Sequence, residues 1–235
     1  MYFFPTFNFS YLLYMLPAVL LGLIIQLYVK ASYSRWSQVQ NHQELTGAQV
    51  AQKLADRMGL YDLQLEDISG QLTDHYDPRR NVLSLSRDIA QGSSVAAMAI
   101  TAHELGHAQQ DQEDYVLLRM RSAMVPIVNI GTKAGWIFIL LGILLEISNL
   151  AWLGVIAFSA GAIFSIATLP VELNASKRAR LLLQTSGLIT TEEEKKGINQ
   201  VLNAAALTYV AAIAASVMQL LYFSSLVGSM NRRRR

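Results

Sequence analysis

The sequence predicts a mainly α, polytopic membrane protein with about four transmembrane helices and one folded polar domain that carries a small β element. Three observations predict it. Of 235 residues, 52% are hydrophobic and only 15% charged, and the mean hydropathy is positive, which is apolar for a soluble domain of this size. Four stretches reach the roughly 20 apolar residues that cross a hydrocarbon core about 30 Å thick. Between the first two lie about ninety mostly polar residues, the one interval long enough to fold outside a membrane. A formal net charge of +2, scattered along the chain, excludes nucleic acid as the expected partner. With no cysteine, disulfides and thiolate metal sites are excluded, leaving His, Asp and Glu as strong ligands.

The first apolar stretch, 11–29 (YLLYMLPAVLLGLIIQLYV), has Tyr11, Tyr14 and Tyr28 near its ends, where amphipathic rings favour headgroups. It has no basic leader or small-residue cleavage site, so a retained anchor is expected. In the polar interval, Val50, Leu54 and Met58 recur every four residues between Thr46 and Gly59, a helix with a glycine C-cap. Asp77-Pro78 marks a turn, and Val82 to Ser86 reads as a short strand, either an edge strand able to take an extended peptide or an ordinary one. Ser93 and Ser94 offer N-caps for a helix through VAAMAITAHELGHAQQ.

The second stretch, 124–145, is interrupted by Asn129, Thr132 and Lys133; Lys133 must snorkel, face protein or face water. The third, 151–169, follows so soon that the two form an antiparallel hairpin. Gly131 and Gly135 on one helix, with Ala157, Gly161 and Ser165 on the other, permit close backbone approach. Residues 170–203 are polar and helical around PVELNASKRARLLL and again near Glu192 to Leu202, and the fourth stretch runs over 204–227.

The chemistry concentrates in TAHELGHAQQ, residues 101–110. Residues four apart on a helix share a face, so His103 and His107 can bind one ion. Zinc in hydrolytic sites takes three protein ligands and a water; HExxH supplies two ligands and, in Glu104, a general base for that water. Ordinary residue frequencies place such a pattern in about one chain per hundred of this length, so a third ligand must be found. Asp111 reads as a polar helix end, and Glu146 falls in the hairpin turn, across the membrane. Glu172 follows the third stretch, and two crossings return the chain to the side it left, where Glu172 can meet both histidines.

The segments LTDHYDP (72–78), LSLS (83–86), AHELGHAQQ (102–110) and PVELNASKRA (170–179) resemble neutral zinc metallopeptidase family 2, the YugP-like membrane proteases of bacteria, over nearly the whole chain. The arrangement is also similar to the HtpX-like membrane metalloproteases, in which a helix hairpin separates HExxH from a glutamate ligand opening a later helix. The resemblance implies a zincin-like, gluzincin-type catalytic domain with zinc on His103, His107 and Glu172 and Glu104 catalytic. The HtpX-like pattern has an acidic residue four positions after that glutamate; here Ser176 stands there, so a hydrogen bond from this position to an imidazole is left open. The expected organisation is an anchor (1–30), a metallopeptidase domain (31–122), a transmembrane hairpin (123–170), a third-ligand helix and connector (171–203), and a last transmembrane helix with a basic tail (204–235).

His75, between Asp74 and Asp77 in a family motif, could serve a transition-state oxyanion or a second metal, or be a structural turn residue. His42 reads as solvated. Arg178 and Arg180 could meet substrate carboxylates or anchor at headgroups. Lys30, Arg35, Arg119, Arg121, Lys177, Arg178 and Arg180 fall on the motif's side, which positive-inside reasoning puts in the cytoplasm. Four crossings then leave Arg232 to Arg235 outside, a conflict unless the last segment stops short or its brief tail is tolerated. The expected function is cleavage of membrane or membrane-proximal proteins, with lipid bilayer and protein substrate as partners, in a prokaryotic plasma membrane. The alternative is a non-catalytic membrane scaffold or assembly factor with a structural zinc site.

Overall fold

The computed structural model describes residues 9–232, so residues 1–8 of the expected anchor and 233–235 of the basic tail lie outside the described residues, as do the side chains of Phe9, Ser10, Asn231 and Arg232. The elements run α1 (Phe9–Ser37), α2 (Gly47–Met58), β1 (Gln64–Ile68), β2 (His75–Asp77), β3 (Val82–Ser86), α3 (Arg87–Gln91), α4 (Val95–Gln112), α5 (Val116–Leu144), α6 (Ser148–Thr185) and α7 (Glu192–Arg232). The chain is mainly helical, and α1, α5, α6 and α7 are long and apolar enough to cross a membrane.

Two helices are longer than the sequence suggests. The third apolar stretch and the polar segment after it form one helix, α6, with Pro170 inside it. Proline removes one intrahelical N–H bond, which here does not end the helix. Likewise the segment from Glu192 is continuous with the last apolar stretch. A change from apolar to polar residues marks a change of surroundings, not a helix end.

The chain divides into two compact units. One comprises residues up to Ile25, Met120–Leu169 and residues from Thr208 on. Its centre holds Ile139, Ala151, Val155, Phe223 and Val227, with Trp136 and Phe158 edge-on to Phe223 at 5.3 and 5.1 Å between ring centroids. α5 and α6 approach closely: a Cβ on Gly135 would stand 2.8 Å from the Gly154 carbonyl oxygen, and one on Gly161 3.1 Å from Thr132. Gly142 and Gly154 belong to the same seam. Glu146, in the left-handed region at φ 57°, turns the chain between the two helices.

The other unit comprises Gln26–Arg119 and Pro170–Leu207. Its core gathers Trp36, Leu54, Leu83, Leu85, Ile89, Met98, Leu105, Leu183, Ile198 and Leu202. The Trp36 indole N–H donates to Gln200 at 2.8 Å. α2 starts at a capping box between Thr46 and Gln49 and ends at Gly59 in the left-handed conformation, the Cβ-free C-cap that the sequence predicts. Sheet order is β1-β3-β2, with β1 parallel and β2 antiparallel to β3. β3 is therefore the central strand, and every one of its residues is buried. This corrects the edge-strand reading of Val82 to Ser86; among the described strands the edges are β1 and β2.

Candidate metal centre

α4 begins where Ser94 accepts a hydrogen bond from the Ala97 N–H at 3.1 Å. Its small apolar residues, Val95 to Ala99 with Ala102, Leu105 and Ala108, are buried, which fixes the face on which His103 and His107 project. Gly106 lies between them in sequence, and a Cβ there would stand 2.5 Å from the carbonyl oxygen of Ala175. Only a glycine lets α6 come this close, and that approach brings Glu172 to the histidines.

The Nε2 atoms of His103 and His107 each lie 3.3 Å from the same carboxylate oxygen, Oε2 of Glu172. Ligand atoms of the three residues all fall within 4.8 Å of one another, with His107 and Glu172 buried. Neighbours hold both rings by their other nitrogens. Gln110 donates through Nε2 to the Val171 carbonyl at 2.9 Å and to Asn174 at 2.9 Å. Its amide oxygen therefore faces His107 Nδ1, at 3.0 Å, and since a carbonyl oxygen only accepts, Nδ1 carries the proton. That leaves the Nε2 lone pair of His107 pointing at a carboxylate oxygen, an arrangement that requires a proton or a cation between them. Ser176, buried on α6, sits 3.2 Å from His103 Nδ1, so serine makes the imidazole contact that the sequence left open.

Tetrahedral zinc with ligands at about 2.0–2.1 Å sets neighbouring ligand atoms about 3.3 Å apart. The two 3.3 Å nitrogen–oxygen spacings, the two-nitrogen, one-oxygen donor set and the rings tied from behind fit that ion.

Glu104 stands beside this cluster. Its Oε2 accepts the Tyr76 backbone N–H at 3.2 Å, which ties it to β2. Burial pushes the Glu104 carboxyl above the usual carboxylate range; His103 and His107 pull it back, while Glu172 and Asp74 push it further. For His107 burial works against the imidazolium, yet hydrogen bonding to Glu172 and the charges of Glu104 and Glu172 carry it above its ordinary value. The Tyr76 phenol, raised by burial and by Asp111, stays protonated and reaches Asp111 at 3.0 Å and Asn81 at 3.1 Å. Asp74 accepts from the Ser86 N–H at 2.7 Å and hydroxyl at 2.9 Å, which fastens the entry of β2 to the end of β3.

The structure thus brings together His103, His107, Glu172, Glu104 and Ser176. The His75 ring is exposed, with Nδ1 2.9 Å from the Thr73 carbonyl, and is not one of the three clustered ligands, although the next residue, Tyr76, bonds Glu104. His42 is exposed. Arg178 pairs with Glu113 at 2.7 Å and Arg180 bonds Asn199 and Asn203. Glu194 caps α7 through Thr190 and Thr191. Sequence reasoning missed Gly106, Gln110 and Tyr76. Gln110 had a detectable signal, being three residues past His107 and so on its face of the helix.

The chain matches the family described as "Putative neutral zinc metallopeptidase" over residues 11–228. It is 44% identical over 198 residues to "Putative membrane protease YugP" of Bacillus subtilis (strain 168), covering 84% of this chain and 88% of that one. No solved structure matches. With the match spanning nearly all of its length, the chain belongs to this neutral zinc metallopeptidase family.

Proposed function

We propose that the protein is a membrane-embedded zinc metalloendopeptidase of the gluzincin type, acting on membrane or membrane-proximal proteins at the cytoplasmic face of a prokaryotic plasma membrane. His103, His107 and Glu172 hold the metal, and Glu104 is the general base. The observation that carries this reading is the convergence of two imidazole nitrogens on one carboxylate oxygen, 3.3 Å from each, beside a fourth residue, Glu104, that is outside the ligand set.

Bound zinc supplies a Lewis acid that lowers the pKa of a water and polarises a carbonyl. Glu104 takes a proton from the attacking water and returns it to the leaving amine. The Tyr76 N–H holds the carboxylate in place. Gln110 and Ser176 keep the two rings oriented. Membrane-protein substrates follow from the position of Glu172, three residues beyond the third apolar stretch in the same helix.

The test is digestion of membrane lysates and casein by wild type and Glu104→Gln, each with its zinc content measured. The expected result is zinc retained and cleavage reduced at least about 10²- to 10⁴-fold. Equal cleavage by both proteins overturns the catalytic role. A cellular phenotype that survives Glu104→Gln but not His107→Ala establishes the structural-zinc scaffold instead.

A further inference from the structure

Far along the chain from the metal ligands, α5 carries Lys133 within an otherwise apolar stretch. At about 1.5 Å per residue, Lys133 stands roughly 18 Å along the helix from Arg121 and roughly 16 Å from Leu144. A half-bilayer of hydrocarbon is about 15 Å, so the lysine lies near mid-depth of the span, and its four-carbon stem does not reach either headgroup layer. An ammonium there is costly unless something meets it.

The chain itself does not supply a carboxylate. Of its 17 aspartates and glutamates, only Glu146 falls in this unit, in the turn beyond the end of α5. Lys133 instead lines an open recess of about 450 Å³ with Thr132, Trp136, Phe158, Ser165, Ser216 and Gln219. The hydroxyls are occupied: Thr132 donates to Val128 at 2.7 Å, Ser165 to Gly161 at 3.0 Å and Ser216 to Ala212 at 2.8 Å. Lys133 and Gln219 have no hydrogen-bond or ion-pair partner among the described residues. An uncommitted ammonium and an uncommitted carboxamide, both able to donate, therefore share one recess walled by aromatic rings.

We propose that this recess receives the carboxylate of an aspartate or glutamate set at mid-span in a transmembrane helix of another protein. A second copy of this chain does not fit, because its apolar stretches contain no Asp or Glu. A carboxylate accepts from both Lys133 and Gln219 and neutralises the former, and a flanking apolar helix covers Trp136 and Phe158. The recess selects partners by a polar mark inside the membrane. If the protein is the protease proposed above, those partners include its substrates; binding itself does not require cleavage.

The experiment uses the full-length protein in phosphatidylcholine nanodiscs and a fluorescent apolar helical peptide with Asp, Asn or Leu at its centre. The Asp peptide is expected to bind wild type roughly tenfold more tightly than the Leu peptide, the gain from charge-assisted bonds between helices. Lys133→Met removes that preference, whereas Lys133→Arg keeps it. Equal binding of the three peptides, or a preference unchanged in Lys133→Met, overturns the proposal. So does Lys133-dependent binding of oleate or phosphatidylglycerol without any Asp preference, which makes the recess a lipid site. Unchanged elution volume and zinc content in Lys133→Met establish that the variant is folded. Loss of peptide cleavage in other assays leaves this readout untouched.

Discussion

The two units are built inside out relative to one another in composition. The apolar unit exposes Leu13, Leu16, Ile127, Ile130, Ile156 and Ile166 while burying a small aromatic and aliphatic centre. The polar unit hides Trp36, Leu83, Leu85, Met98 and Leu105 and keeps nearly every carboxylate of the chain. Each follows its solvent: where lipid surrounds a helix, apolar side chains gain nothing by turning inward and close glycine packing holds helices together; in water, burial of apolar area does. The common device is the small residue at a crossing, Gly135 and Gly154 in one unit and Gly106 in the other. Its consequences differ: in one unit it closes a hairpin, and in the other it lets Glu172 approach His103 and His107.

Breaking the polar unit's crossing is expected to have the largest effect. Gly106→Val drives a branched side chain into the Ala175 carbonyl, separates α6 from α4 and abolishes stoichiometric zinc binding, measured by elemental analysis after purification. Next is Gln110→Ala, which frees the His107 ring and removes the side-chain bonds to Val171 and Asn174; zinc affinity falls about 10- to 100-fold by chelator competition. In the apolar unit, Gly154→Val overpacks against Ile139 and lowers stability in detergent by about 1–3 kcal/mol, read from thermal unfolding. The smallest effect is Thr46→Ala, which removes one side of the α2 capping box and costs about 1 kcal/mol with zinc content unchanged.

The two units also differ in how far the sequence reveals them. The apolar helices were legible because length and hydropathy alone identify a span, and Gly131 and Gly135 already marked the hairpin seam. In the polar unit the local signals held: Thr46 and Gly59 bound α2, and Ser94 opens α4. What sequence could not supply was neighbours. Ser84 and Ser86 gave β3 the alternation of a one-sided strand, yet both are buried, Ser86 against Asp74. Strands on both sides make β3 central, a fact held in β1 and β2 and not in β3. For the candidate site, HExxH and the crossing count led to His103, His107, Glu104 and Glu172. Gly106 and Tyr76 stayed hidden, because their roles exist only once α6 and β2 are packed against α4.

The central claim is that His103, His107 and Glu172 share one zinc ion. Zinc-edge X-ray absorption of protein purified without chelator, with metal stoichiometry of wild type, His107→Ala and Glu172→Ala, tests it most directly. The account predicts one zinc per chain, two imidazole nitrogens at about 2.0–2.1 Å and a carboxylate oxygen at about 2.0–2.2 Å, and loss of the metal in both variants. Wild-type protein that takes up no zinc, or variants that retain it with the same spectrum, would contradict it.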